Sequence, residues 1–136
     1  MKKIFFALLA CALISCAGSR RDSAPRSRMI GFIGTDVLRI ESTGTHSGTG
    51  TIDSRKREAR ERAVVFAKQY CMEIYSGNAM SNGSGYHPSS VQRFMRIVEN
   101  GSVVSESYDG EGRCVLVYEI RSRNLREMLH GAVSTP

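Results

Sequence analysis

The chain has 136 residues and carries 41% hydrophobic residues without a single Trp, which leaves room for one modest core and excludes a multidomain architecture. Its formal charge of +6 is misleading, because most of the excess lies near the start: from Met29 onward there are 13 basic and 12 acidic side chains. A nearly neutral remainder excludes the electrostatic footprint of a nucleic-acid-binding domain.

Lys2 and Lys3 precede an apolar run from Ile4 to Ile14 broken only by Cys11. At about 20 residues a run would cross a bilayer; this one is the length of a signal-peptide core. It ends in Leu13-Ile14-Ser15-Cys16, which resembles the lipobox of bacterial lipoproteins. The resemblance implies cleavage before Cys16, a diacylglyceryl group on its sulfur and acylation of its freed amine, so that residues 1–15 are a signal peptide and Cys16 anchors the protein to a membrane. Leu8-Leu9-Ala10-Cys11 is a weaker second match with a shorter apolar run before it, and an ordinary cleavage near Ala17 without lipid is the competing reading. Ala17 after the anchor, rather than Asp, implies an outer-membrane destination facing the periplasm, with surface exposure as the variant.

Ala17 to Arg28 is rich in Ser, Arg and Pro and reads as a lipidated flexible tether spanning 16–28, basic enough to lie against anionic headgroups. A single α+β domain is expected over 29–136. Met29 to Ile40 predicts one strand ending near Ile40, followed over Glu41 to Thr51 by a loop or a polar edge extension of that strand. Within it, Gly44-Thr45-His46-Ser47-Gly48-Thr49-Gly50 lacks the Gly-Lys-Ser/Thr ending of a phosphate loop and reads as a flexible connection.

From Ser54 to Ile74 the periodicity is helical, with Ala59, Ala63, Phe66, Ala67, Tyr70 and Ile74 on one face and Asp53 or Ser54 as cap. Arg57–Glu61 and Glu58–Arg62 stand at the four-residue spacing of helix ion pairs. Arg55, Lys56, Arg57 and Arg60 form the conspicuous basic cluster of the folded part, either a docking patch for an acidic or anionic partner or a solvated face. Ser76 to Ser90, rich in Gly, Asn and Ser, predicts a loop. Val91, Phe94, Met95 and Val98 favour a short helix capped by Ser89 or Ser90 and stopped near Gly101, with a strand as the alternative. Ser102 to Tyr108 and Arg113 to Arg121 read as a hairpin around Asp109-Gly110-Glu111-Gly112, and Leu125, Met128 and Leu129 as a last helical turn or two.

The fold class that follows is α+β: one long amphipathic helix packed on a small antiparallel sheet, with short additional helices. Phe66 and Tyr70 are expected to meet the hairpin through Val103, Val115 and Val117. With Cys11 removed and Cys16 lipidated, Cys71 and Cys114 are left as either a disulfide or two buried free thiols. A bridge would close roughly 44 residues, worth about 4 kcal/mol in the chain-entropy model.

His46, His87 and His130 are not spaced as metal ligands, and no nucleophile elbow or dinucleotide fingerprint occurs, so neither enzymatic activity, a catalytic residue, a metal nor a cofactor is expected. Gly48-Thr49-Gly50 before an Ala-periodic, Arg-rich helix, then Gly101-Ser102-Val103-Val104, Tyr108 and Val115-Leu116-Val117-Tyr118-Glu119-Ile120, is similar to the Lpp-twenty lipoprotein family and related N-terminal domains of flagellar outer-membrane proteins. That resemblance implies a non-enzymatic assembly component of the cell envelope, in some members flagellum-associated. The expected partners are the membrane, through Cys16, and envelope proteins or further copies of the chain; nucleic acid is not expected. A small-ligand or lipid-binding periplasmic module is the alternative function.

Overall fold

The computed structural model describes residues 26–81 and 87–130. The signal segment, Cys16 and the tether up to residue 25 lie outside them, as do residues 82–86 of the Gly- and Ser-rich connection. The elements are β1 (Ser27–Ile33), β2 (Val37–Gly44), α1 (Ile52–Ser81), α2 (Pro88–Glu99), β3 (Ser102–Tyr108), β4 (Cys114–Arg121) and α3 (Leu125–His130). The four strands form one antiparallel sheet in the order β1-β2-β4-β3, so the fold is α+β with the long helix on an antiparallel sheet.

The N-terminal strand is in fact a hairpin. Gly34, at φ +64°, turns the chain in a conformation that L side chains rarely adopt, and β2 returns along β1 to become a central strand rather than an edge. The strand also starts before the expected boundary at Met29. Ser27 joins its hydroxyl to that of Ser42 at 2.8 Å in the interior, and Arg28 meets Glu41 at 2.7 Å. Residues that look like tether in isolation thus belong to the sheet, because their partners come from β2.

The two hairpins are related by a pseudo-twofold axis through the Ile40–Tyr118 pair. The same sequence offset carries Val37-Leu38 onto Val115-Leu116 and Glu41 onto Glu119, and it exchanges the cross-strand pairs Glu41–Val117 and Arg39–Glu119. Each outer strand carries an irregularity at the equivalent place, between Met29 and Gly31 in β1 and between Val103 and Ser105 in β3. Such bulges twist an edge away from further strand pairing.

Alternation in the central strands sends Leu38, Ile40, Leu116, Tyr118 and Ile120 into the core beneath the helices. Val115 and Val117, expected against α1, point to the opposite face. The buried stripe of α1 is Ala59, Ala63, Ala67, Cys71 and Tyr75, one residue every four. Phe66 and Tyr70 only flank it, and the Arg26 guanidinium lies 4.7 Å above the Phe66 ring. Small side chains win the central positions because the helix approaches the sheet closely: a Cβ added to Gly44 would stand 2.0 Å from the Ala59 carbonyl oxygen. The helix continues to Ser81, past the expected end near Ile74, through residues whose composition alone suggests a loop.

α2 forms as a helix, not a strand. Its N-cap residue is His87, with Pro88 inside the first turn; Ser89 and Ser90 are already helical and do not cap it. Its Phe94 ring stacks on Tyr75 of α1 at 4.4 Å, and the buried Tyr118 hydroxyl donates to the Val98 carbonyl at 2.7 Å, tying α2 to the sheet. The β3–β4 hairpin and α3 occupy the positions that the sequence predicts.

Cys71 and Cys114 are both buried free thiols. Cys114 pairs with Gly44, which touches α1 at Ala59 and Ala63, whereas Cys71 lies eight residues farther along the helix, about 12 Å at 1.5 Å per residue. A disulfide needs Cα atoms within about 7 Å, so the register keeps the two apart. Burial pushes the Cys71 thiol up to about 12 and raises that of Cys114 as well, which favours the protonated form of both.

Candidate functional site

Where the basic cluster at the start of α1 sits is decided by helical rotation, which turns successive residues by about 100°. Arg60 reaches down to Glu106 of β3 at 2.7 Å, and the Lys56 ammonium lies 5.5 Å over the Tyr108 ring. Arg55 is half-buried, and its Nε is enclosed without a hydrogen-bond partner; Arg57 is exposed. Arg55, Lys56, Arg57 and Arg60 therefore do not form one outward patch. Of the surface ion pairs expected on this helix, Glu58–Arg62 closes at 2.7 Å.

The Gly-rich segment before α1 is a fastened connection. The Ser47 amide and hydroxyl both donate to Glu58 Oε2, at 3.1 and 2.9 Å, and these bonds hold the Glu58 carboxyl below its ordinary value. His46 bridges to the other hairpin: its Nδ1 accepts from the Gly48 amide at 2.9 Å while Nε2 lies 2.8 Å from the Glu111 carbonyl oxygen. That pair of contacts assigns the proton to Nε2. Among the described residues no group of three or more His, Cys, Asp or Glu side chains could hold a metal ion.

Several further depressions lie on the helical side. One, of about 700 Å³ between α1 and α2, is lined by Val65, Met72, Met95 and Val98 and by the Lys68–Glu99 ion pair at 2.5 Å. Another, of about 350 Å³, lies where the chain enters β1, against Arg26, Phe66, Tyr70 and Glu73.

Among the described residues the other side of the sheet is unpartnered. All three helices pack on the face that carries Leu38, Ile40, Leu116 and Tyr118, and no described element covers the opposite one. Its cross-strand rows run Ile33–Val37–Arg121, then Gly31–Arg39–Glu119–Ser102, then Arg28–Glu41–Val117–Ser105, then Thr43–Val115–Ser107. Antiparallel sheets commonly leave one face wet, and such a face is ordinarily polar. This one mixes valines and arginines around a carboxylate with a side chain only 1% exposed.

That carboxylate is Glu119. Arg39 Nε donates to its Oε2 at 2.7 Å, and Arg121 Nε donates to its Oε1 at 2.6 Å. Hydrogen bonding from Arg39 outweighs desolvation and, with Arg121, holds the Glu119 carboxyl below its ordinary value. Because the folded-state carboxyl titrates below its unfolded counterpart, the pairing contributes stability above the unfolded pKa and loses it as pH falls through the lower folded value. Urea midpoints followed downward through the acid range are therefore expected to drop more steeply for the parent chain than for Glu119→Gln. Parallel curves would mean that the arginines do not hold this carboxylate ionised.

Sequence reasoning passes over Arg39, Glu119 and Arg121, which have no motif. The available signal is modest: a charged residue inside each of two apolar strands, and Glu119 and Arg121 on one face by alternation. No family model, curated protein or solved structure matches the chain.

Proposed function

We propose that this protein is a membrane-anchored lipoprotein that acts as a structural or protein-interaction component of the bacterial cell envelope, docking through the uncovered face of its sheet. The observation that carries the reading is the one-sided packing: three helices on one face of a four-stranded sheet, and half-buried valines on the other. A face of this kind offers a partner flat apolar contact interleaved with charge. The lipobox-like Leu13 to Cys16 supports the anchor, with the outer membrane facing the periplasm as the destination. With lipid on Cys16 and β1 starting at Ser27, the intervening chain spans at most about 40 Å even when fully extended, which keeps the domain close to the bilayer. No helix among the described residues is long and apolar enough to cross a membrane. A flagellum-associated role is the narrower form of the proposal, supported by the resemblance to the Lpp-twenty family alone.

The groove between α1 and α2 favours a second reading, a small-ligand or lipid-binding periplasmic module, since Val65, Met72, Met95 and Val98 offer an apolar trough. The two are separated by placing a photo-cross-linking side chain in the full chain, in its native envelope, at Val117 on the open face or at Met95 in the groove. Discrete protein adducts from Val117 are expected, together with loss of palmitate-analogue labelling in Cys16→Ala. Adducts confined to Met95, or of lipid mass, would favour the second reading, and labelling that survives Cys16→Ala would remove the anchor.

A further inference from the structure

We propose that Arg39, Glu119 and Arg121 form a carboxylate-docking platform through which the open sheet face receives an acidic protein partner; the proposal rests on the docking role given above and names the chemistry of its partner. Both oxygens of Glu119 are occupied by guanidinium Nε groups, so the two arginines are held across the face instead of swinging free. Ordering them is already accomplished in the fold, and a ligand that meets ordered donors loses less entropy on binding.

The donors are not exhausted by this arrangement. A guanidinium has five N–H groups in a planar fork. Arg39 meets Glu119 through its Nε, and Arg121 through Nε and one Nη, with side chains 41% and 71% exposed. A carboxylate can therefore be received edge-on by N–H groups that Glu119 does not use, in the bidentate geometry that makes Arg–carboxylate pairs specific.

The surroundings leave access and choose the partner. Gly31 flanks Arg39 with no side chain, and nothing lies within 4 Å of where its Cβ would be. Ser102, beside Glu119, carries only a hydroxymethyl group. The charge that the face shows to solvent is positive: Arg28 is 69% exposed, against 31% for Glu41 and 1% for Glu119. Ile33, Val37 and Val117 flank the arginines, which suits a protein surface that brings apolar contact with its carboxylates better than it suits a free anion or a headgroup layer. At the start of α1, by contrast, Arg60 is paired to Glu106, Lys56 lies over Tyr108 and Arg57 is exposed, so no one carboxylate holds two of these cations together.

The test uses the full chain in detergent, titrated with hexaglutamate while the arginine Nε–Hε resonances are followed, with inorganic phosphate and phosphatidylglycerol vesicles as parallel arms. Saturable movement of the Arg39 and Arg121 signals with hexaglutamate is expected. Arg121→Gln, a largely exposed position checked for a retained cooperative unfolding transition, should weaken that binding about tenfold, while Arg57→Gln leaves it unchanged. Unmoved Arg39 and Arg121 signals, equal affinity in Arg121→Gln, or movement with vesicles or phosphate but not with hexaglutamate would overturn the platform. In the envelope, Val117 adducts that persist undiminished in Arg121→Gln would overturn the acidic chemistry and leave the docking role standing. Hexaglutamate binding intact with no Val117 adduct would instead keep the platform and remove the docking role.

Discussion

Replacing Gly44 by Ala is expected to destabilise the domain by about 3 kcal/mol, the upper part of the range for overpacking a filled interior. The added Cβ would stand 2.0 Å from the Ala59 carbonyl oxygen and 2.5 Å from the Ala63 amide nitrogen. Both are backbone atoms of α1, so no side-chain rotation relieves the clash; the helix itself has to retreat from the sheet. Retreat loosens the Ala59, Ala63, Ala67 and Cys71 stripe along its length, because these short side chains cannot reach across a wider gap. Gly77 supplies the control. It lies within the same helix with nothing within 4 Å of an added Cβ, so Gly77→Ala should stabilise by about 0.5–1 kcal/mol through helix propensity. Urea unfolding of both variants checks the pair of signs, and a Gly44→Ala midpoint equal to that of the parent would mean that α1 does not approach β2 this closely.

Phe94→Ala is expected to cost about 3–5 kcal/mol, as for other fully buried aromatics. Its side chain is 0% exposed and stacks on Tyr75 with the ring planes 10° apart, so truncation opens a cavity at the junction of α1, α2 and the sheet. Against a typical domain stability of about 5–15 kcal/mol, that loss is a large share of the whole. Phe66→Ala should cost far less, about 1 kcal/mol, because Phe66 is only half-buried and its partner is the Arg26 guanidinium. From the sequence Phe66 is expected on the core face, and the structure sets it beside the buried stripe. Equal losses for the two variants, measured by urea unfolding, would put Phe66 in the core and contradict the buried stripe of alanines.

The displacement of Phe66 from the centre of the core has the same cause as the limit of local sequence patterning. Period-3.6 patterning by itself determined that a long helix starts near Asp53, and period-2 patterning with a Gly-containing turn determined the β3–β4 hairpin, because both are local and repeat over many residues. The α+β class followed from their order. Helix orientation followed in part, with Ala59, Ala63 and Ala67 on the expected face; the centre of that face did not follow, because Phe66 and Tyr70 are larger but a helix lying close on a sheet selects its smallest stripe, and the closeness is set by Gly44, which comes before the helix in the chain.

Strand faces were equally illegible in β4, where Val115 and Val117 on one side and Leu116, Tyr118 and Ile120 on the other are all apolar, so alternation marks two faces without saying which is inside. The turn at Gly34 was hidden in a nearly continuous apolar run, and pairing with β4 drew both Val37–Gly44 and the polar Ser27 and Arg28 into the sheet. The candidate platform depended wholly on tertiary structure. Arg39 and Glu119 are 80 residues apart, and only the antiparallel register of β2 on β4 places them side by side. Local sequence fixes the period of each element, but the partner that neutralises a charge in an apolar strand comes from whichever strand folds beside it.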